Sequence, residues 1–164
     1  MGKTYEEIRI GANTFATSTK ILETVGQAGL QQASHDAGLG LLAQSMIPAI
    51  TLKAFTCELA LKAMVVKNGL SYGSVHELDK LYKNISNENK NKIVNAVVTE
   101  MKKNNANYGQ SDFEKDLKKH SRLFIDWRYF FEKSVTANLP FINALFDICI
   151  ISSRVVVRIL TKKY

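Results

Sequence analysis

Proline and cysteine each occur only twice, at Pro48 and Pro140 and at Cys57 and Cys149, and histidine only three times. The two cysteines are far apart in sequence, and neither has a second cysteine or a histidine at ligand spacing. A structural zinc site takes four such ligands, so both read as structural thiols in a reducing compartment. No basic stretch followed by an apolar run opens the chain, so no signal peptide is expected and the expected location is cytoplasmic. Long apolar runs free of charge are also missing. The two most apolar segments, Ile47–Val66 and Phe141–Leu160, carry Lys53, Glu58 and Lys62 in one and Asp147, Arg154 and Arg158 in the other. Each such charge costs ~2.5–3.5 kcal/mol near a bilayer centre, which argues for buried core helices and against membrane spans.

The chemistry-bearing motifs are equally sparse. There is no serine elbow, no pair of histidines at metal spacing and no Walker-type glycine loop. Gly38–Ala43 spells the dinucleotide fingerprint, but no strand precedes it and no β-α-β unit surrounds it. Small residues that let helices pack closely are the simpler reading. Neither a cofactor nor a metal is expected.

What is present is an apolar fraction of 46% over 164 residues, enough for one domain spanning 1–164 with a sizeable core and no need of a staple. The net charge of +7 permits contact with nucleic acid or another acidic partner, but the basic residues are spread out, with no arginine-rich tract. Apolar residues recur at intervals of three and four, which is the helical period. Thr4–Glu7 is a capping box opening a helix that ends near Gly26 and Gly29. Residues 30–46 are partly helical. Pro48 suits the first turn of a strong helix, Pro48–Asn68, closed by Gly69. Ser74–Glu77 is a second capping box, before a short helix to about Asn84, and Asn87–Lys103 is a further helix. Asn104–Gln110 is a loop. Ser111–Glu114 caps a helix to about Thr136, and Leu139–Leu160 is the last. The fold class is all-α, a single compact helical bundle with two long central helices.

Four residues stand out as ligand-binding candidates. Glu58 and Lys62 lie one turn apart on the central helix, either as an intrahelical ion pair or as two groups facing a polar cleft. His76 falls in the first turn of the short helix, where the helix dipole does not favour a cation. Arg128 flanks an apolar arc of Phe124, Trp127, Phe130 and Phe131. It either pairs locally with Glu132 or lines a groove, where a guanidinium suits phosphate or carboxylate. His35 and His120 carry no stronger argument. No nucleophile, base and acid can be assembled into one catalytic set.

Three segments in order, Ala54–Ala63, His76–Tyr82 and Phe124–Glu132, resemble a HEPN domain (higher eukaryotes and prokaryotes nucleotide-binding). The first matches an acid followed by Leu-x-Leu-Lys-Ala, the second a His-x-Leu-x-x-Leu segment, the third an aromatic–arginine helix. The resemblance covers about Met46–Glu132. It implies a helical bundle, often a homodimer, that binds or cuts RNA, binds a nucleotide or partners another protein, in systems such as toxin–antitoxin pairs and phage defence. It also implies that Glu58, Lys62, His76 and Arg128 are cleft residues. Ribonucleases of that family place an arginine and then a histidine on one helix. Here no histidine follows Arg122 or Arg128. The expectation is therefore a HEPN-like binding or regulatory subunit. The alternatives are a metal-independent ribonuclease with an atypical site, using His76 or His120 as base, and a purely structural helix-packing module.

Overall fold

The structure, a computed structural model, describes residues 2–32, 44–128 and 136–153, with the side chains of Gln32, Trp127 and Arg128 outside that description. Among the described residues seven helices follow one another: α1 Tyr5–Gln32, α2 Met46–Lys67, α3 Leu78–Lys83, α4 Asn87–Met101, α5 Gln110–Lys119, α6 Leu123–Arg128 and α7 Leu139–Ser153. No strand occurs among the described residues. The all-α reading holds.

The bundle is organised around α2. Helices α1, α7, α6 and α3 all pack against it, while α4 packs against both α7 and α5. Ala54, Cys57, Ala60, Leu61, Ala63, Met64 and Val65 of α2 are all buried, on every side of the helix. A helix apolar all round has no solvent face and takes the centre. Phe141, Leu145, Phe146 and Cys149 of α7 meet it, with Ile93 and Val97 of α4 and Phe113 and Leu117 of α5 completing the same core. Fully burying a side chain of this size contributes about 1.5–3 kcal/mol. Tyr5 at the start of α1 donates its hydroxyl proton to the carbonyl of Ser153 at 2.6 Å, closing the bundle from its first helix to its last.

Local signals account for several boundaries. The Thr4–Glu7 box forms, with the Glu7 N–H donating to Thr4 Oγ1 at 3.3 Å and the Thr4 N–H to Glu7 Oε2 at 2.8 Å. Gly69 adopts φ +75°, the left-handed value that ends α2. Ser86 caps α4, its hydroxyl accepting the Asn89 N–H at 3.3 Å. Replacing Ser86 by alanine should cost about 1 kcal/mol and lower the melting temperature by about 2–4 °C in thermal unfolding followed by circular dichroism.

Other expectations need correcting. Helix α1 runs through Gly26 and Gly29 instead of stopping there. A Cβ at Gly26 would lie 2.7 Å from Met46 Cγ and 2.8 Å from Ser45 Oγ, so this glycine admits the start of α2 against α1 and does not end a helix. The Ser74–Glu77 box does not form either. Helix α3 starts at Leu78, preceded by Glu77 in extended conformation without a side-chain cap. Its first amide groups turn to Ser121 instead: Leu78 N–H donates to the Ser121 carbonyl at 2.9 Å and Asp79 N–H to Ser121 Oγ at 3.4 Å. The helix expected from Ser111 to Thr136 starts one residue earlier, at Gln110, and is broken at His120–Arg122 into α5 and α6. There the His120 ring turns inward, and both its peptide N–H and its Nδ1 bond the Asp116 carbonyl. At the start of α5 the Asp112 carboxylate accepts the Gly109 N–H at 3.0 Å. The fingerprint-like Gly38–Ala43, the aromatics Phe130 and Phe131, and α7 beyond Ser153 lie outside the described residues.

Candidate functional site

Glu58 and Lys62 project from one face of α2, and the helical spacing brings Lys62 Nζ to 2.7 Å from Glu58 Oε1. This is the intrahelical pair the spacing allows, but it is not at the surface. Glu58 is 1% exposed and Lys62 7%. Desolvating two charges costs several kcal/mol per ion unless further partners compensate. One partner comes from the extended approach to α3. Because the first amides of α3 are held by Ser121, with the Ser121 hydroxyl also bonded to Asp79 Oδ1, residues 74–77 are drawn across α2. His76 Nδ1 then reaches 2.8 Å from the same Glu58 Oε1. Tyr72 adds its ring 4.9 Å from the Lys62 ammonium.

The structure therefore brings together three of the four sequence candidates. His76 is not in a helical first turn, which removes the electrostatic oddity of its position; its placement over a buried carboxylate gives it another role. The fourth candidate, Arg128, ends α6, the helix that packs on α2, and its side chain lies outside the described residues, as does Glu132. Phe124 on the same helix stacks on Phe55 of α2, with ring centroids 4.4 Å apart.

The cluster has two chemical properties. Glu58 Oε1 serves both Lys62 and His76, whereas Oε2 is buried with no hydrogen-bond partner among the described residues. Second, a carboxylate oxygen accepts, so the imidazole proton of His76 belongs on Nδ1. That leaves the Nε2 lone pair without a partner among the described residues, on a side chain 48% exposed. A carboxylate-oriented imidazole of this kind can accept a proton from a bound hydroxyl or water.

His120 is excluded from that role. It is 2% exposed and both ring nitrogens are occupied, Nδ1 by the Asp116 carbonyl at 2.8 Å and Nε2 by the Asn138 N–H at 3.0 Å. Among the described residues no group of three or more histidine, cysteine or carboxylate side chains is placed to hold a metal ion. No described helix is long and apolar enough to cross a membrane.

Protein-family models, curated proteins and solved structures yield no match to this chain. The site must be read from its own chemistry.

Sequence reasoning missed three features. Lys53 is buried on the opposite side of α2 from Lys62, ion-paired with Glu23 of α1 and donating to Asn143 Oδ1 of α7 at 2.6 Å. A spacing of nine residues is half a turn out of phase, which is the only trace of this in the sequence. Cys57 and Cys149 are neighbours in the core. Contact with Cys149 and burial hold the Cys57 thiol well above its usual range, so it stays protonated and inert. Finally, Lys118, Lys119 and Arg122 are exposed at the end of α5 and in the turn after it, with no ion-pair partner among the described residues. Lys83 joins them through Asp79, which it approaches to 3.7 Å and which Ser121 also holds.

Proposed function

We propose that this protein is a HEPN-like binding or regulatory subunit whose ligand is RNA. The observation that carries the reading is the run of cations Lys118, Lys119 and Arg122, without ion-pair partners among the described residues, at the junction that also positions His76 over Glu58. Lysines on an exposed helix end track a phosphate backbone, and binding of that kind is sequence-independent and falls steeply with salt. The same junction links this run to the Glu58–Lys62–His76 cluster, since the Ser121 carbonyl holds the amide of Leu78, two residues after His76. Pairing of two copies, and a place in a toxin–antitoxin or phage-defence system, follow from the HEPN resemblance and stand with it.

A fluorescence-anisotropy titration with a labelled single-stranded RNA tests the reading. Binding at 50 mM salt should weaken strongly by 200 mM. Reversing the three charges in Lys118→Glu, Lys119→Glu and Arg122→Glu should lower affinity at least about tenfold and reduce the salt slope by about 2, at ~0.7 per neutralised phosphate. Absence of binding at 50 mM salt, or an unchanged slope in the triple variant, overturns it.

A second reading, a metal-independent ribonuclease, is favoured by one observation: the Glu58-oriented His76 with its Nε2 unpartnered among the described residues. In it Nε2 takes the proton of a ribose 2′-hydroxyl, and Arg128 stabilises the phosphorane. Cleavage of end-labelled RNA in EDTA by the wild type, abolished in both His76→Ala and Arg128→Ala, would establish it. Intact RNA would leave the binding role alone.

A further inference from the structure

The His120 side chain, buried and outside the Glu58 cluster, is bonded through both ring nitrogens. Its ring joins the end of α5 to the start of α7. Nδ1–H donates to the Asp116 carbonyl, and Nε2 accepts the backbone N–H of Asn138, which immediately precedes α7. Asn138 is itself the cap of α7, its Oδ1 accepting the Phe141 N–H at 3.3 Å and its carbonyl the Ile142 N–H at 3.0 Å. The Asn138 amide donates to Asp116 Oδ2 at 3.1 Å, an oxygen that also accepts the Tyr108 hydroxyl at 2.9 Å. The ring lies on Phe141, with centroids 5.5 Å apart and planes 29° from parallel.

This arrangement needs the neutral ring in one tautomer. A second proton has only Nε2 to go to, where it would face the Asn138 N–H, donor against donor. We infer that His120 is an acid-sensitive clasp between α5 and α7: its protonation breaks the Asn138 bond and frees the first turn of α7 from the end of α5. Among the described residues the charged groups facing the ring are Asp116, which favours its protonation, and Lys119, which opposes it, both on α5. Tyr108 acts through Asp116, and the described groups that reach the ring from the α7 side, Asn138 before the helix and Phe141 on it, are uncharged. Burial is the largest influence and holds the ring below its ordinary value of 6.5. The clasp is thus fully closed above pH 6.5 and weakens as pH falls below it, by up to about tenfold in the opening equilibrium per pH unit until the closed form itself protonates.

The test is a ¹H–¹⁵N NMR titration of the full chain from pH 8 to 5, with far-UV circular dichroism alongside. The Asn138 and Phe141 amides should shift together with a midpoint below 6.5, and Asn138 should lose exchange protection beyond the intrinsic pH effect. Helical dichroism should stay constant. In His120→Gln, which does not titrate, the transition should vanish. In the His35→Gln/His76→Gln variant, where His120 is the sole histidine, it should persist, which keeps the test valid if His120→Gln does not fold. An Asn138 amide indifferent to pH, a transition lost in the double variant, or loss of helix in step with the amide shift would each overturn the proposal.

Discussion

Glu58→Ala is expected to lower the free energy of unfolding by about 3–5 kcal/mol in urea denaturation, far more than loss of a surface helix pair, at about 0.2–0.5 kcal/mol. The reason is what the substitution leaves behind. Lys62 would keep its ammonium in the interior with, among the described residues, the Tyr72 ring against it, and His76 would lose its carboxylate partner. The cost is that of a stranded charge more than of a lost contact. Removing both charges separates these contributions: Glu58→Leu/Lys62→Met fills the same space with apolar atoms, and such replacements are often neutral or stabilising. Its stability should therefore return to within about 1 kcal/mol of wild type, with a coupling energy of several kcal/mol in the double-mutant cycle. A loss below about 1 kcal/mol for Glu58→Ala would mean that water reaches the pair.

Phe141→Ala should be comparably damaging, at about 3–5 kcal/mol and a fall in melting temperature on the order of 10 °C. Phe141 is fully buried in the first turn of α7 and lies between Phe113, whose ring centroid is 5.9 Å away, and His120. Truncation opens a cavity where α5 and α7 meet and strips the imidazole of its stacking surface. Phe141→Leu, which restores most of the volume, should recover more than half of the loss in the same melt. If leucine performed no better than alanine, ring stacking and not cavity volume would be the dominant contribution.

The helices were largely legible because periodicity and capping residues act locally. Thr4, Ser86 and Gly69 do in space what their types imply, and the wide apolar arc of α2 marked the centre. The misreadings have one source: the local signal was real but a distant group used it differently. Ser74 and Glu77 have the spacing of a box, yet the helix starts at Leu78, where Ser121, more than forty residues on, takes the amides of Leu78 and Asp79. Gly26 has the type of a terminator, yet what it answers is the approach of Ser45 and Met46. His120 interrupts a periodic run that continues on both sides of it, and periodicity carries no record of a side chain folding back to its own helix.

The candidate site was partly legible for the same reason. Glu58 and Lys62 share a helix, so their pairing could be read directly. That His76 completes them depends on the Ser121–Asp79 bond, which no spacing rule predicts. Composition gave the net charge of +7, but the gathering of Lys118, Lys119 and Arg122 around Ser121 depends on where α5 stops. Lys53 looked like one more charge arguing against a membrane span; its partners Glu23 and Asn143 come from helices 30 residues before it and 90 after it.

The bond from Tyr5 to Ser153 has a consequence for synthesis. It joins residues 148 positions apart, and the helix that receives it also covers one flank of α2. A ribosome that has delivered everything up to Arg128 has produced a central helix with Cys57 made but its core neighbour Cys149 still to come. The nascent chain must hold that apolar surface until α7 emerges, and at about 5–20 residues per second this lasts seconds. In that interval α1 and α2 can clasp each other, with Lys53 already beside Glu23 but still without Asn143. Folding of this protein is thus finished from its C-terminal side, and a chain cut short there is exposed to aggregation and to proteases.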